Sequence, residues 1–315
     1  MISTEEIFRL IRGQVAIAEP LAPYTSLKIG GTADFLVKPV DIADLCRSVN
    51  FFKERNYPFL IIGRGTNLLV HDNGYRGAVI ATQFLNRYTI EGEIVEAEAG
   101  TPLPLLSEKT FRESLGGLEL LQGIPGSVGG AIRMNAGAYG QEISDRLEWV
   151  EILRKGRVKR IKKTELTFSY RSSGIDGDVV LRAGFRLTKL SGSAKQVSTR
   201  KIALARQQRA MSQPLVYPNA GSVFKNPGAR QPETGLTAGS MIDNCGLRGQ
   251  RCGGASVSDI HANFIVNDGS ACSGDVLELI RIARGVVKSK YGISLDLEIT
   301  LVGFKMTDTD GHFCP

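Results

Sequence analysis

The segment Gly123-Ile-Pro-Gly-Ser-Val-Gly-Gly-Ala-Ile-Arg-Met-Asn-Ala-Gly-Ala-Tyr-Gly140 constrains the fold more than any other part of the chain. Six of its residues are glycine, and neither a helical nor a strand period runs through it. Glycine reaches positive φ without steric penalty and lets the backbone come close to another group. Successive backbone N–H groups in such turns form anion-binding nests. A flexible linker is also rich in glycine. Here, however, Ile124, Pro125, Val128, Ile132, Met134 and Tyr139 are apolar or stiff, which linkers rarely are. The segment therefore reads as an ordered loop that wraps a ligand, since ordered loops carry function.

With 315 residues the chain has room for two or three domains and ample core. Hydrophobic residues make up 42% and charged residues 23%, the balance of a soluble globular protein. The opening Met1-Ile-Ser-Thr-Glu-Glu-Ile-Phe-Arg9 lacks the basic and apolar regions of a signal peptide. No stretch is long and uncharged enough to span a bilayer. The five cysteines (Cys46, Cys245, Cys252, Cys272 and Cys314) are odd in number, and no two make a CxxC pair. Together with three dispersed histidines they argue against a disulfide framework and a zinc site. A cytoplasmic protein without a bound metal is expected.

The net charge of +7 suits anionic partners such as nucleotides or phosphates. The densest basic run, Arg154-Lys-Gly-Arg-Val-Lys-Arg-Ile-Lys-Lys163, has Lys155-Gly156 as a hairpin turn. It reads as a solvated edge hairpin, where lysines block unwanted pairing. Aromatic residues are not interleaved with the basic ones, so nucleic-acid binding is the weaker reading.

The pattern predicts a helix over residues 3–17, a strand over 33–39 and a helix over 41–55. Strands follow at 58–62, 68–70, 77–82, 87–91 and 94–99, then a helix over 103–114. Residues 148–190 read as strands and turns, and the polar stretch 189–200 marks a boundary. A basic helix is expected over 199–211. Val276, Leu279, Ile280, Ala283, Val286 and Val287 follow helical spacing in 275–290. Ile293, Leu295, Leu297, Ile299 and Leu301 alternate with polar residues as in a half-buried strand. Residues 306–315 read as a loose tail. Helices and strands do not alternate regularly, which points to α+β.

Four short pieces have chemical potential. The first, Gly63-Arg-Gly-Thr-Asn67, follows an apolar strand. It lacks the third glycine and the helix of a Rossmann turn. It is either a pyrophosphate cradle or an ordinary strand–turn–strand. The second, Phe168-Ser-Tyr-Arg171-Ser-Ser173, offers an arginine that could hold a carboxylate or phosphate bidentately. Taken alone, a surface Arg171 stacked on Tyr170 explains it better. In the third, Asn219-Ala-Gly-Ser222-Val-Phe-Lys225-Asn-Pro227, no His or Asp stands at a triad position, so Ser222 is no nucleophile. A proton donor remains possible there, while Lys225 suits a diphosphate and Asn226 both donates and accepts. The fourth is Glu298, on the polar side of the last alternating run.

Together these pieces resemble the UDP-N-acetylenolpyruvoylglucosamine reductase family, in its shorter subtype without an extra tyrosine loop. The resemblance runs from about residue 25 to 304. It also takes in Thr25-Ser-Leu-Lys-Ile-Gly-Gly31 and His261-Ala-Asn-Phe-Ile-Val-Asn267, and rests on the order and spacing of all the runs. It implies a two-subdomain FAD-binding region of the vanillyl-alcohol-oxidase/PCMH type, followed by an α+β substrate domain. The implied boundaries are 1–70, 71–195 and 196–306, with 307–315 as tail. It further implies non-covalent FAD, NADPH as reductant and reduction of UDP-N-acetylglucosamine enolpyruvate to UDP-N-acetylmuramate, a step of peptidoglycan precursor synthesis. A monomer is expected, without nucleic acid or membrane as partner.

By the same resemblance Arg171 polarises the substrate carboxylate, Ser222 gives the proton and Glu298 is the acidic partner. Gly63, Arg64, Gly65, Thr66, Asn67, Ile124, Pro125, Gly126, Ser127, Gly129, Asn135 and Gly137 would hold FAD. Tyr170, Arg171, Ser222, Lys225 and Asn226 would hold the substrate. Tyr24, Arg64, Thr66 and Arg133 depart from the family pattern. The alternatives are a related flavoprotein acting on another substrate and a basic nucleotide- or nucleic-acid-binding module without catalysis.

Overall fold

The first elements are helix α1 (Thr4–Leu10) and strand β1 (Gln14–Pro20), where the pattern predicts one helix over residues 3–17. Asp44 ends the helix by taking the next backbone donors. Its carboxylate accepts the Arg12 N–H at 3.0 Å and the Gly13 N–H at 2.9 Å, and the chain then continues as a strand. The computed structural model describes residues 2–227 and 235–305. Cys314 and the expected tail lie outside the described residues.

The chain forms two compact units. The first takes residues up to 17, then 34–64 and 77–208; the second takes 18–33, 65–76 and residues from 209 on. After β1 come β2 (Thr32–Lys38), helix α2 (Ile42–Glu54), β3 (Phe59–Ile62), β4 (Leu68–Val70) and β5 (Tyr75–Ala81). Strands in the order β1-β2-β5-β3 make one sheet of the first unit. Asp41 caps α2 by accepting the Asp44 N–H at 2.8 Å. Leu45, Val49 and Phe52, spaced i, i+4 and i+7 on α2, are fully buried. Each such side chain contributes about 1.5–3 kcal/mol.

The rest of the first unit holds β6 (Tyr88–Glu91), β7 (Ile94–Glu98), helix α3 (Leu103–Arg112), β8 (Leu115–Gly116) and helix α4 (Val128–Arg133). Then come β9 (Gly137–Ala138), β10 (Gln141–Glu142), β11 (Leu147–Arg154), β12 (Arg157–Lys162), β13 (Val179–Arg186) and β14 (Thr188–Lys189). An antiparallel sheet runs in the order β12-β11-β13-β7-β6, with the basic strand β12 at its edge. The turn before β12 has φ 48° at Lys155 and 75° at Gly156, the hairpin pattern expected from the sequence.

Composition hid helix α4 and the first turns of helix α5 (Gly192–Ser212), whose remainder is the basic helix expected over 199–211. Helix α4 lies inside the glycine-rich segment, with Val128, Ala131 and Ile132 buried at helical spacing. Helix α5 runs through the polar stretch read as a boundary. Its buried stripe is only Ser198, Ile202 and Ala205, too narrow to register as amphipathic.

The second unit contains β4, helix α6 (Ala238–Asn244), β15 (Arg251–Cys252), β16 (Ala255–Val257), β17 (Ile265–Asn267), helix α7 (Ser273–Tyr291) and β18 (Thr300–Val302). Strands β15-β16-β17 are antiparallel, and β18 pairs parallel with β4, Thr300 against Leu68. Helix α7 buries Val276, Leu279, Ile280, Ala283 and Val287, while Val286 is 37% exposed, off the face assigned to it. The alternating run is only partly a strand. Ile293, Leu295, Ile299 and Leu301 are buried, but ladder pairing begins at Thr300. The preceding backbone bonds to turns and side chains instead: Asp296 accepts the Lys225 N–H, and Leu295 accepts Arg284 Nε.

Three apolar clusters result. One spans Ile7 to Leu181 around α2, one surrounds the β11–β13 sheet, and the third fills the second unit around α7. The fold is α+β, as expected from the sequence. Among the described residues no helix is long and apolar enough to cross a membrane, and no His/Cys/Asp/Glu group could hold a metal ion.

Candidate active site

The loop Gly63–Asn67 begins where β3 ends. In the first unit, Thr82 Oγ1 donates to the Ile62 carbonyl at 3.2 Å and Gln83 Nε2 to the Gly63 carbonyl at 3.4 Å. A Cβ on Gly63 would lie 2.3 Å from Ser127 Oγ, so the loop and the glycine-rich segment approach closely there. In the second unit, Gly65 has φ +62° and a Cβ on it would lie 2.0 Å from the Tyr24 carbonyl oxygen. The Ser26 N–H donates to the Gly65 carbonyl at 3.0 Å. Asn67 Nδ2 donates to the Glu298 carbonyl at 2.8 Å, and Asn67 O accepts the Thr300 N–H at 2.9 Å. The N–H groups of Gly65 and Thr66 donate to no described residue. Arg64 is exposed.

The glycine-rich segment spends its amide groups differently. Ile124 donates to Leu121 O, Val128 to Thr101 O, Gly129 to Ala99 O, and Gly130 to Ser127 Oγ, the cap of α4. These N–H groups are satisfied internally and do not form the open nest suggested by composition. Pro125 is exposed, while Ile124, Gly126, Gly129 and Gly137 are half-buried. Asn135 is fully buried with φ 41°. Its Nδ2 donates to Glu142 Oε2 at 2.7 Å and to the Ser169 carbonyl at 3.1 Å, whereas its buried Oδ1 has no partner among the described residues.

Ser169 opens the next turn. Ser169 and Ser172 exchange backbone bonds of 2.9 and 3.0 Å, which puts Tyr170 and Arg171 at the tip. Arg171 has φ 57°, a left-handed conformation rare outside glycine and asparagine. Its guanidinium carbon lies 4.8 Å from the Tyr170 ring centre, the stacking anticipated from sequence. Arg133 braces the same turn from the glycine-rich segment: its Nη1 donates to Ile175 O, and its carbonyl accepts Ser173 Oγ.

In the second unit the Ser222 turn is pinned on several sides. Ser26 Oγ donates to the Asn219 carbonyl at 2.6 Å. The Glu298 N–H donates to the Val223 carbonyl at 2.8 Å, so Ser222 and Glu298 lie on directly paired segments. The Lys225 N–H donates to Asp296 O at 2.9 Å. Asn226 Oδ1 accepts the Ala238 N–H at 3.0 Å, tying this side chain to the start of α6. Arg171 thus belongs to the first unit, Ser222, Lys225, Asn226 and Glu298 to the second.

Family models match both parts of the chain. Residues 33–162 match a FAD binding domain, and residues 213–302 match the C-terminal domain of UDP-N-acetylenolpyruvoylglucosamine reductase. A reductase of that name from Chloroherpeton thalassium is 45% identical over 305 residues, covering 96% of this chain and 98% of the relative. The chain belongs to the UDP-N-acetylenolpyruvoylglucosamine reductase family. A second member, from Pelobacter propionicus, is 42% identical over 296 residues, covering 93% of this chain and 97% of its own. The crystal structure of the Thermus caldophilus reductase superposes with a TM-score of 0.78 at 36% identity, covering 93% of this chain and 99% of that one.

This reductase-family chain presents groups that fit a flavin. Asn135 Oδ1 is a buried acceptor in need of a donor, and a flavin ring N–H is a donor of the kind it would suit. The amides of Gly65 and Thr66 are donors in need of an acceptor, and a pyrophosphate is an acceptor of the kind they would suit.

Sequence reasoning gave no role to Asn263, although it lies within the quoted His261–Asn267 run. It is 4% exposed. The Val223 N–H donates to Asn263 O at 2.8 Å, the Phe224 N–H to Asn263 Oδ1 at 2.9 Å, and Asn263 Nδ2 to Phe224 O at 2.9 Å. His261 supports it, since His261 Nδ1 accepts the Asn263 N–H at 3.1 Å. Burial, then the Arg248 charge, push the His261 imidazole below its ordinary value, which keeps that nitrogen an acceptor. Asn267 Nδ2 donates to Leu27 O at 2.9 Å, joining this run to the Thr25–Gly31 run. The only signal for these roles was the asparagine content of the run.

Proposed function

We propose that this chain is a flavin-dependent reductase that uses NADPH to convert the enolpyruvyl ether of UDP-N-acetylglucosamine to UDP-N-acetylmuramate, the step its family name describes. The observation that carries the reading is the pairing of the Ser222 turn with the Glu298 segment through the Glu298 N–H. That pairing sets a hydroxyl-bearing residue and an acidic residue on adjoining segments, which supports a proton donor and an acidic partner acting on an enolpyruvyl group.

FAD held by these loops would supply the hydride chemistry, linking NADPH oxidation to reduction at C3 of the enolpyruvyl group in two separate half-reactions. The protein manages the charge and the proton. Hydride arrival at C3 builds negative charge on C2 that spreads into the carboxylate. The Arg171 guanidinium binds that carboxylate through its planar fork, and a protonated Glu298 donates to the same group. Preorganised donors of this kind are worth roughly 2.7–4 kcal/mol each. Ser222 Oγ–H gives its proton to C2 and completes the product. Tyr170, Lys225 and Asn226 hold the nucleotide-sugar.

Gly63, Arg64, Gly65, Thr66 and Asn67 hold the pyrophosphate of FAD. Ile124, Pro125, Gly126, Ser127, Gly129, Asn135 and Gly137 line the flavin. Residues 1–70 and 71–195 serve as the two cofactor subdomains and 196–306 as the substrate domain. The enzyme works as a cytoplasmic monomer, without nucleic acid or membrane.

The purified protein is expected to be yellow, to release FAD on acid precipitation, and to oxidise NADPH only when the enolpyruvyl nucleotide is added. Colourless protein that binds RNA, or NADPH oxidation independent of that nucleotide, would overturn the reading.

A further inference from the structure

We propose that Asn263 is the positioning residue of the proton donor, holding the Ser222 turn in register with Glu298. The inference rests on Ser222 acting as proposed above. Three bonds carry it: Val223 N–H to Asn263 O at 2.8 Å, Phe224 N–H to Asn263 Oδ1 at 2.9 Å, and Asn263 Nδ2 to Phe224 O at 2.9 Å. The side-chain amide thus plays the part of a neighbouring strand, accepting from and donating to a single residue. A side chain needs both a donor and an acceptor in one plane for this, as Asn has; aspartate offers acceptors only when ionised.

Before Ser222 the turn is closed locally, the Gly221 N–H donating to Asn219 Oδ1 at 3.0 Å. Gly221 has φ +79°, and a Cβ built on it would meet nothing within 4 Å. On the other side the Val223 carbonyl takes the Glu298 N–H. The two residues after Ser222 are therefore clamped from Asn263 and from Glu298. Loss of the Asn263 amide releases the turn without removing the hydroxyl. A displacement of about 1 Å from the productive geometry costs on the order of 10²-fold in rate.

The test uses Asn263→Ala and Asn263→Asp in the full-length holoenzyme, each alone and combined with Ser222→Ala. Flavin content, anaerobic reduction by NADPH and reoxidation by the enolpyruvyl nucleotide are measured separately. With Ser222 present, each substitution is expected to leave flavin content and the reductive half-reaction unchanged and to slow reoxidation by about 10²-fold. With Ser222 replaced, the same substitution is expected to slow reoxidation no further. The aspartate variant keeps the volume of the side chain and is decisive if the alanine variant does not fold.

Reoxidation at the wild-type rate overturns the proposal. So does an equal slowing in both backgrounds, or loss of flavin by both variants, since each makes Asn263 a structural residue only. A wild-type enzyme that the nucleotide does not reoxidise instead overturns the functional reading, and with it the premise of this inference.

Discussion

The backbone N–H of Glu298 donates to the carbonyl of Val223 at 2.8 Å, which pins a polar position of the alternating run beside the Ser222 turn. The same run is tied to the Gly63–Asn67 loop, because Asn67 Nδ2 donates to the Glu298 carbonyl at 2.8 Å. Glu298 therefore has one backbone group on the Ser222 turn and the other on the Gly63–Asn67 loop. Its position is set by main-chain geometry.

Arg171 stores backbone strain at the tip of its turn. Its φ of 57° is one that glycine adopts freely. Strain of this kind costs on the order of 1–3 kcal/mol and is offset elsewhere in the structure. Arg171→Gly is expected to melt no lower than wild type while losing at least ~10²-fold in flavin reoxidation, the scale of one lost transition-state donor. Arg171→Lys keeps the charge but not the fork, and is expected to fall between the two. Thermal melting alongside half-reaction rates checks this. A destabilised glycine variant with full activity would show that the turn is merely structural.

Gly63→Ala is expected to disturb Ser127. The added Cβ would lie 2.3 Å from Ser127 Oγ, which accepts the Gly130 N–H and caps α4. Rotating that hydroxyl away loses a cap worth about 0.5–2 kcal/mol. Flavin retention should fall with it. Ser127→Ala removes the clashing atom, so the double variant should be no less stable than the sum of one cap loss. Strict additivity of the two melting shifts would contradict the contact.

Much of this arrangement was legible in the sequence wherever the deciding partner was local. Asp41 announces α2 because it caps a donor three residues on. Lys155-Gly156 announces its hairpin because the turn itself demands positive φ. Errors fall where the partner is distant. Residues 14–17 are strand because Asp44, 31 positions after Gly13, takes that glycine's N–H. Residues 293–299 have strand alternation without a ladder, because their carbonyls serve Lys225 and Arg284. At the site, Ser222 and Glu298 were reachable through family likeness. The role of Asn263 was not, since a buried asparagine reveals nothing until its two partners on Phe224 are seen.

Stability should fall with acid in two steps. His261 has its value lowered from 6.5 by burial and by Arg248, against the opposing pull of Asp243. The unfolded chain then binds the proton more readily than the folded one, so stability is lost as pH falls from 6.5 toward the folded value. Burial alone would raise the Asp44 carboxyl, but the N–H groups of Arg12, Val40 and Gly13 and the Arg47 guanidinium hold it below 3.8. Its contribution is complete above 3.8 and disappears as pH drops through the lower folded value. Urea midpoints across this range should show both steps, and His261→Gln should remove the upper one alone. A flat profile between neutral pH and pH 5 in the wild type, or an upper step that survives in the variant, would contradict the assignment.

The most direct measurement is anaerobic stopped-flow of Ser222→Ala, following flavin absorbance in each half-reaction. Reduction by NADPH requires no proton at substrate C2 and is expected at the wild-type rate. Reoxidation by UDP-N-acetylglucosamine enolpyruvate is expected to slow by ~10²–10⁴-fold, the usual worth of a general acid. Reoxidation as fast as wild type would contradict the proton-donor role of Ser222 and the site built around it.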